Sequence, residues 1–450
     1  MTDYVSLTAM STEASQGRRF AVDKPQMAFA NGSPGVEALT FALILAGVTA
    51  TALHVAPERS AAGVVGALAV LWGCGLHCFR LPTHPAVVLA SAVLIRTIFI
   101  GTPPLLSDDL YRYLWEGRLL LEGGNPFLTP PTAITGLDDE LRALVNHPDI
   151  PSLYPPLALW WFQFLAVLGR TPEVAQATTA LVDVGIVAAL LRVRLLPQRA
   201  ALYALHPLPI LEAASGAHID TLALFLATLA LTTRGGTLWA LLGGVTKLLP
   251  LALIPPLLSG QRPTAWVGTG VAGVGITICL AWPVLDAGPA LFTALGTYAH
   301  HWTFNPVAYP LLAPFFGLYT RGVLAAIGLF ATLYIWRVSQ DPWSAFTGVG
   351  VTFLIVSPTV HPWYVLWVFL PAAVTGRRDL TFAASFFQAS YVVLFTLDPA
   401  TGTWGAGPWL AAITWLPAVL AILVGRLSGR RLKTPPSHTQ PRTSRETERL

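Results

Sequence analysis

Two adjacent carboxylates, Asp108 and Asp109, are the residues of this chain best placed to do chemistry. They come directly after an apolar segment near 83–103. The chain is 54% hydrophobic and only 11% charged, so it carries few ionised groups. Charges at a bilayer boundary are costly to hold there unless they interact with a partner. A carboxylate in such a position can take a proton as a general base, and we interpret this run as the centre of a membrane enzyme.

The polar stretch 104–153 surrounds this pair with further functional groups. Its pattern predicts a helix capped by Ser107, on which Asp108, Arg112 and Glu116 share one face at a spacing of four residues. An interfacial helix with ordinary charge pairs is the alternative interpretation. The stretch is long and aromatic, which favours a functional loop. Its candidate substrate-binding residues are Arg112, Glu116, Arg118, Asn125 and Tyr154, the last just beyond its end.

Ionisable groups at the junctions of later apolar segments form a second set of candidates. His218 and Asp220 join two segments, Lys247 precedes Leu-Leu-Pro, and His361 lies in an aromatic, proline-rich junction. We interpret all four as substrate-binding residues. Helix capping by Asp220 and snorkelling of Lys247 to an interface are the structural alternatives. Asp183, inside an apolar segment, is equally well read as the structural partner of an arginine.

The elements that must position these residues are membrane-spanning helices. Mean hydropathy is +0.60 over the chain, and a span takes about 20 apolar residues. The sequence predicts an all-α polytopic membrane protein, a single bundle of about 11 to 14 transmembrane helices with 104–153 at one face. We place a cytoplasmic segment at 1–36, the membrane domain at 37–426 and a disordered basic cytoplasmic tail at 427–450.

Orientation is harder to read than the spans. A cytoplasmic amino terminus puts 104–153 outside after three crossings. If the apolar stretches near 155–169 and 174–191 each cross once, Arg192, Arg194 and Arg199 also lie outside, which violates the positive-inside bias. Further spans are predicted near 308–319 and 321–338, among others.

Several classes of protein and site are disfavoured. No G-x-x-x-x-G-K-[ST] loop and no strand-embedded G-x-G-x-x-G cradle is present. The basic tail is interpreted as a topology signal, so no nucleic-acid partner is expected. Cys74 and Cys78 with His77 match neither a zinc spacing nor a haem motif, and we expect no metal site there. Gly268, Gly270, Gly273 and Gly275 form a small-residue face suited to close helix packing.

Four blocks of residues, in order, resemble the GT-C glycosyltransferases that use polyprenol-phosphate sugars. The likeness is to bacterial integral-membrane mannosyltransferases and to the mannosyltransferase of GPI-anchor assembly, and it covers most of 83–376. The blocks are 107–118 with 124–127, Tyr154-Pro-Pro156, 206–209 with 216–220 and 247–250, and 357–364. His206 stands where some relatives have asparagine.

The resemblance implies a GT-C-like bundle with a large first extracytoplasmic loop. It implies that Asp108 is the catalytic general base and that Asp109 positions the acceptor or, as the less favoured role, binds a divalent metal. The donor would be a polyprenyl-phosphate hexose, with mannose implied by likeness, and the acceptor a glycan or glycolipid. Such a protein would be multi-pass in a bacterial cell membrane, among membrane lipids, with its active site facing outward.

The residues fit this chemistry. A polyprenyl phosphate is a competent leaving group, so a single carboxylate near the acceptor hydroxyl suffices. Cations must offset the charge on the departing phosphate, and Arg112, Arg118, Lys247, His218 and His361 are the candidates. We expect inversion by single displacement. A polytopic transporter or lipid flippase is the main alternative, because interrupted spans and midmembrane charges also serve transport.

Overall fold

The computed structural model describes residues 35–55, 61–193, 195–398, 403–404 and 408–431. Nearly all of the predicted cytoplasmic segment 1–36 lies outside the described residues. The same holds for 432–450, the greater part of the predicted tail. The cytoplasmic location of both segments and the disorder of the tail therefore stay predictions.

Most of the described residues are helical, which confirms the all-α class. The α-helices are α1 Val36–Val55, α2 Ala61–Leu76, α3 Pro85–Thr97, α4 Asp109–Leu121, α5 Asp139–Arg142, α6 Pro156–Leu168, α7 Pro172–Arg192, α8 Pro197–Leu205, α9 Pro207–Ile210, α10 Asp220–Thr232, α11 Gly236–Gly244, α12 Ile254–Leu258, α13 Pro263–Ala281, α14 Thr293–His301, α15 Ala308–Phe316, α16 Thr320–Val338, α17 Pro342–Val356, α18 Leu366–Thr375, α19 Arg378–Ser385 and α20 Pro408–Arg431.

Shorter elements link these helices. A π-helical turn covers Leu211–Ser215, and 3₁₀ segments cover Pro131–Ala133, Leu249–Leu253, Trp282–Phe292, Gly317–Tyr319, Pro362–Val365 and Phe386–Thr396. The strands β1 Leu397–Asp398 and β2 Thr403–Trp404 form a two-residue antiparallel pair.

Length and composition make many of these helices suitable for a membrane. Five of the described helical stretches are long and apolar enough to cross one, and several shorter apolar helices accompany them. Many begin with proline, as α6, α7, α8, α13 and α17 do. Proline fits the first helical position because its missing N–H would have no intrahelical partner there. The high proline content thus marks where helices start.

Side-chain contacts define two ends of the bundle. Near the end of α3, Gly101 N–H donates to the Gln176 side chain (2.8 Å), which in turn donates to the carbonyls of Thr102 (2.8 Å) and Ser215 (2.9 Å). We call this the loop end, because it carries 104–153. At the other end, Arg199 donates to the Val374 carbonyl (2.8 Å). We call it the tail end, because α20 leads to the carboxyl-terminal tail there.

The contacts of α7 correct the predicted span near 155–169. Gln176, in the second turn of α7, lies at the loop end, and Asp183 further along α7 accepts a hydrogen bond from Arg96 of α3 (2.6 Å). Helix α7 therefore runs antiparallel to α3, from the loop end to the tail end. Because α6 starts and finishes at the loop end, it does not cross the bundle. Arg192 and Arg199 consequently lie at the opposite end from Asp108, and the conflict with the charge bias disappears.

The structure also shows a turn inside the apolar stretch 236–258 and corrects the predicted span near 308–319. The stretch 236–258 is two antiparallel passes that turn near Lys247, where the ammonium meets Asp220. Helix α15 does not cross, because Arg321, at the start of α16, donates back to the carbonyls of Ala299 (3.0 Å) and Trp302 (2.9 Å) at the loop end.

With these corrections, the described chain passes between the two ends fourteen times. Passes such as α11, with nine residues, are shorter than a membrane span, so the number of transmembrane helices stays a prediction. The passes are α1, α2, α3, α7, 197–215, α10, α11, 249–258, α13, α16, α17, 362–375, 378–396 and α20.

Helices α4 and α6 form a separate layer at the loop end with its own apolar core. Tyr113, Trp115 and Phe162 are buried in this core, and the Tyr113 and Phe162 rings stack at 4.5 Å. A Cβ atom on Gly117 would lie 2.0 Å from the Phe162 carbonyl oxygen. The absence of a side chain at Gly117 therefore allows the two backbones to come together and sets the position of α4.

The predicted small-residue face of α13 is not a helix contact within the described chain. A Cβ atom on Gly268, Gly270 or Gly275 would meet nothing within 4 Å, and only Gly273 approaches a neighbour, Leu241. The prediction of close helix packing at these glycines is therefore wrong within the described chain.

Candidate functional site

The carboxylate pair is held by one asparagine. Helix α4 begins at Asp109, and Asp108 occupies the cap position, so the start predicted at Ser107 is displaced by one residue. Ser107 still accepts a weak hydrogen bond from the Asp109 N–H (3.4 Å). The Asn146 amide donates to Asp108 Oδ1 (3.0 Å) and to Asp109 Oδ1 (2.6 Å). One side-chain amide thus brings two like charges together.

Arg112 in turn fixes Asn146. Its guanidinium donates to Asn146 Oδ1 (3.2 Å), to the carbonyls of Asn146 (2.5 Å), His147 (2.8 Å) and Ile150 (3.2 Å), and to Glu116 Oε1 (3.1 Å). These five bonds use all five N–H donors of an arginine. In this state Arg112 organises the 146–150 segment and has no N–H left for a phosphate.

Glu116 completes this support from inside the layer. Its side chain is buried, pairs with Arg112 and accepts a hydrogen bond from the Ser152 hydroxyl (2.7 Å). Burial raises the pKa of Glu116, and Arg112 and Ser152 offset part of that rise. Burial and the nearby Arg112 lower the pKa of His147, so its imidazole is neutral where it meets the Trp302 ring edge-on at 4.8 Å.

His218 faces the carboxylate pair from the bundle. Its Nδ1 lies 3.8 Å from Asp109 Oδ2, and its Nε2 lies 3.3 Å from Glu212 Oε2. The ring is buried and stacks on Trp363 with centroids 4.1 Å apart. The structure therefore brings together the predicted residues Asp109 and His218, which are far apart in sequence.

Lys247 and Asp220 form an ion pair beside this cluster. Asp220 is buried and also accepts a hydrogen bond from the Trp367 indole N–H (2.9 Å), whereas the Lys247 side chain is 28% exposed. The Lys247 ammonium lies over the Tyr364 ring, 4.9 Å from its centroid. An ammonium has three N–H donors, so pairing with Asp220 leaves donors available to a ligand.

His361 belongs to a continuous stack of rings that ends at His218. Its ring stacks on Phe304 (4.7 Å) and on Trp363 (4.3 Å), and Trp363 stacks on His218. Phe304 is tied to the 357–361 junction by backbone bonds to Pro358 and from Val360 (3.0 and 2.7 Å). The late junction thus forms one wall of the same site.

Tyr154 forms the floor between α4 and α6. Its ring meets Tyr113 and Phe162 edge-on, at 5.4 and 5.0 Å. Burial raises the pKa of Tyr154 well above its usual value, and the charge of Asp109 adds to the rise. The phenol is therefore neutral at physiological pH.

Two predicted site residues make their contacts elsewhere. Arg118 pairs with Glu122 (2.8 Å) on a more exposed part of α4. Asn125 donates to Asp286 Oδ1 (2.6 Å) and to the Val284 carbonyl (3.3 Å), and so fastens the loop to the segment after α13. These partners are residues other than Asp108 and Asp109.

Other polar residues of the bundle are structural. Asp183 is paired with Arg96 and accepts a hydrogen bond from Tyr203 (2.5 Å), as the structural alternative predicted. The His206 side chain caps α9 and bonds Ser385 (2.9 Å). No group of three or more His, Cys, Asp or Glu residues within the described ranges is arranged to hold a metal ion. A cavity of about 560 Å³ lies at the tail end around Gly236 and Thr269, away from this cluster.

Sequence reasoning gave no site role to several residues that build the site. Asn146 lies in the polar stretch 104–153 without a pattern that marks it, and Tyr391, which donates to Glu212, gives no signal in the sequence. Tyr298, whose hydroxyl bonds that of Tyr364 (2.7 Å), was also missed. Proximity to a proline-rich junction could have pointed to Tyr364, whereas nothing in the local pattern marks the other residues.

Two family models match parts of this chain. A family model described as "Alpha-(1->6)-mannopyranosyltransferase, N-terminal domain" matches residues 60–249, and one described as "MptB C-terminal domain" matches 312–427. The first contains the carboxylate pair, His218 and Lys247, and the second contains His361. These matches confirm the resemblance to bacterial GT-C-type mannosyltransferases.

The chain is also similar to a curated protein, Alpha-(1->6)-mannopyranosyltransferase B of Corynebacterium glutamicum. The two are 25% identical over 359 residues, which cover 66% of this chain and 59% of the relative. The match thus spans less than two thirds of that protein's length. No solved structure matches the chain.

Proposed function

We propose that this chain, similar to the α-(1→6)-mannopyranosyltransferases over both of its halves, transfers mannose from a polyprenyl-phosphate donor to a hydroxyl of a glycan or glycolipid. The observation that carries the proposal is the meeting of Asp108 and Asp109 with His218 and the Lys247–Asp220 pair at one end of the bundle. A carboxylate that can act as the base and an accessible ammonium that can face the leaving phosphate are the groups that this reaction requires.

In the proposed reaction Asp108 accepts the proton of the acceptor hydroxyl as that oxygen attacks the anomeric carbon of mannose. The bond from this carbon to the phosphate oxygen breaks, and the electron pair leaves on the polyprenyl phosphate. A single displacement of this kind inverts the anomeric centre. Asp109, fixed by Asn146 and facing His218, positions the acceptor. Lys247 offsets the charge that develops on the leaving phosphate.

We propose that the loop end faces outward. The tail end carries a concentration of basic residues, a pattern typical of the cytoplasmic side. These residues are Arg192, Arg199, Arg234, Arg262, Arg337, Arg377, Arg378 and Arg426. Acidic residues are frequent at the loop end, in the loop that holds Asp108 and Asp109. A polyprenyl-phosphate donor would then be used on the outer face of a bacterial cell membrane.

The test is transfer of labelled mannose from polyprenyl-phosphate mannose in membranes that contain the protein. Asp108→Asn keeps the size of the side chain and an oxygen that can accept the hydrogen bond from Asn146. It removes the negative charge that allows the carboxylate to take a proton. We expect the rate to fall by about 10²–10⁴, as for loss of a general base. Asp139→Asn is the matched control, because Asp139 belongs to a second Asp-Asp pair in the same loop and makes an exposed pair with Arg142. Such exposed pairs contribute at most about 1 kcal/mol.

Each outcome of this test is informative. Near-normal transfer by Asp108→Asn with loss in Asp109→Asn would exchange the two roles. Activity of both variants would remove the loop from the catalytic site. A wild-type protein that moves the lipid across the membrane without forming a new glycosidic bond would favour the flippase alternative.

A further inference from the structure

The backbone that presents His218 is irregular in a way that the mechanism above does not use. The π-helical turn Leu211–Ser215 holds Glu212, and two residues later Ala217 adopts a left-handed conformation with φ of 49°. Both features are uncommon and concentrate at functional sites. A Cβ atom on Gly216 would lie 2.7 Å from the His218 ring. This segment is thus shaped to direct Glu212 and His218 toward each other.

The ring nitrogens of His218 are the second observation. Its side chain is 1% exposed, yet neither nitrogen makes a hydrogen bond with any of the described residues. Buried polar atoms in native proteins are nearly always satisfied, so this ring is expected to have a partner in the working enzyme. The packing of Trp363 against the ring face leaves its edges, and hence its nitrogens, to meet that partner.

The neighbours of His218 select one of its tautomers. Tyr391 donates its hydroxyl proton to Glu212 Oε1, and Glu212 Oε2 lies 3.3 Å from His218 Nε2. When Glu212 is ionised, the form that the hydrogen bond from Tyr391 favours, its carboxylate accepts hydrogen bonds and Nε2 carries the proton in a neutral ring. Catalytic hydrogen bonds are often long before substrate binds. Nδ1 is then an acceptor, 3.8 Å from Asp109 Oδ2, which is also an acceptor.

We propose that His218 Nδ1 and Asp109 Oδ2 form a subsite for two neighbouring hydroxyl groups of a sugar, each of which donates to one of the two atoms. Tyr391 and Glu212 are positioning residues that hold His218 in the accepting tautomer. The inference deepens the proposed function, on which it rests, by assigning a hydroxyl-recognition site to it. Because Asp109 positions the acceptor in the proposed reaction, we expect the sugar to be that of the acceptor. An effect on donor binding alone would move Asp109 to the donor side.

Equilibrium binding to the purified protein tests the subsite without relying on turnover. Two ligands are measured separately, polyprenyl-phosphate mannose and a mannoside acceptor. In Glu212→Gln the amide N–H₂ can face Nε2, which moves the ring proton to Nδ1 and abolishes the acceptor. We expect the Kd for one ligand to rise about 3- to 10-fold, as for loss of one neutral hydrogen bond, and the Kd for the other to stay unchanged. The ligand affected identifies the source of the sugar.

Tyr391→Phe is a second test of the subsite, and Tyr203→Phe is its matched control. Tyr203 also donates to a buried carboxylate, Asp183, but in the structural cluster with Arg96. Tyr391→Phe should raise the same Kd as Glu212→Gln, whereas Tyr203→Phe should lower only thermal stability. A mannoside that lacks one of the recognised hydroxyls should bind the wild type more weakly than the full mannoside does. In His218→Ala the two mannosides should bind with the same Kd.

Unchanged Kd values for both ligands in Glu212→Gln and Tyr391→Phe would overturn the subsite, and so would the absence of sugar binding by the wild type. A wild type that binds the sugar with the predicted dependence on Glu212 but forms no glycosidic bond would refute the proposed function and leave the subsite standing.

Discussion

At the scale of residues, the site depends on a chain of hydrogen bonds that leads from the buried Glu116 through Arg112 and Asn146 to the carboxylate pair. Asp108 and Asp109 repel each other, and their amide partner offsets this repulsion. The positions of the two carboxylates therefore depend on Asn146, a residue that cannot itself act as an acid or a base.

Asn146→Asp tests this dependence. The new carboxylate retains an acceptor for Arg112 but replaces the amide donor with a third negative charge beside Asp108 and Asp109. Hydrogen bonds to charged groups contribute about 1.5–3 kcal/mol each, so we expect transfer to fall by at least about tenfold. Initial rates at equal protein abundance measure the effect. Thr132→Ala, which removes an exposed bond to Pro148 in the same loop, should retain full activity, and an active Asn146→Asp would contradict the role given to the amide.

The sequence predicted the types of residue in the site better than their connections. Asp109, Tyr154, His218 and Lys247 were selected because charged or polar groups stand out in an apolar chain. The bond between Asn146 and Asp109 joins positions 37 residues apart, and that between Tyr391 and Glu212 joins positions 179 apart. No local spacing encodes such pairings. Only the packing of helices brings them together.

At the scale of elements, hydropathy located the helices but not their directions. Helix α6 has the composition of a span and yet lies with α4 at the loop end, because its apolar side chains are buried in the core that contains Tyr113 and Phe162. The close approach of the two helices at Gly117 decides this arrangement. The site depends on it, since α4 carries Asp109 and α6 packs beneath Tyr154.

Gly117→Ala tests the contact between α4 and α6. The added methyl group would overlap the Phe162 carbonyl, 2.0 Å away, and a backbone atom cannot rotate aside. Overpacking typically destabilises by about 1–3 kcal/mol, and here it also displaces Asp109, so we expect lower thermal stability together with reduced transfer. Gly270→Ala is the matched control, because a Cβ atom there meets nothing within 4 Å. If the two variants have equal melting temperatures, the close contact is not important.

At the scale of the whole molecule, the fold separates charge between two ends. Residues 103–171 remain at the loop end. The basic residues at and beyond the end of α7 therefore lie at the opposite end from the carboxylate pair, in agreement with the positive-inside bias. Composition predicted the class of protein and a range for the number of passes. It did not reveal that α6 and α15 fail to cross, because a non-crossing apolar helix and a crossing one have similar sequences.

Single cysteines in a variant without Cys74, Cys78 and Cys279 test this topology directly. Arg170 lies in the exposed turn between α6 and α7, and Arg192 is exposed at the end of α7. In intact cells, a membrane-impermeant thiol reagent should label Arg170→Cys from outside and should reach Arg192→Cys only after the membrane is opened. If α6 crossed the membrane, the pattern would be reversed, with Arg170→Cys protected and Arg192→Cys labelled. Labelling of both positions in intact cells would contradict a crossing by α7, which joins the loop end to the tail end.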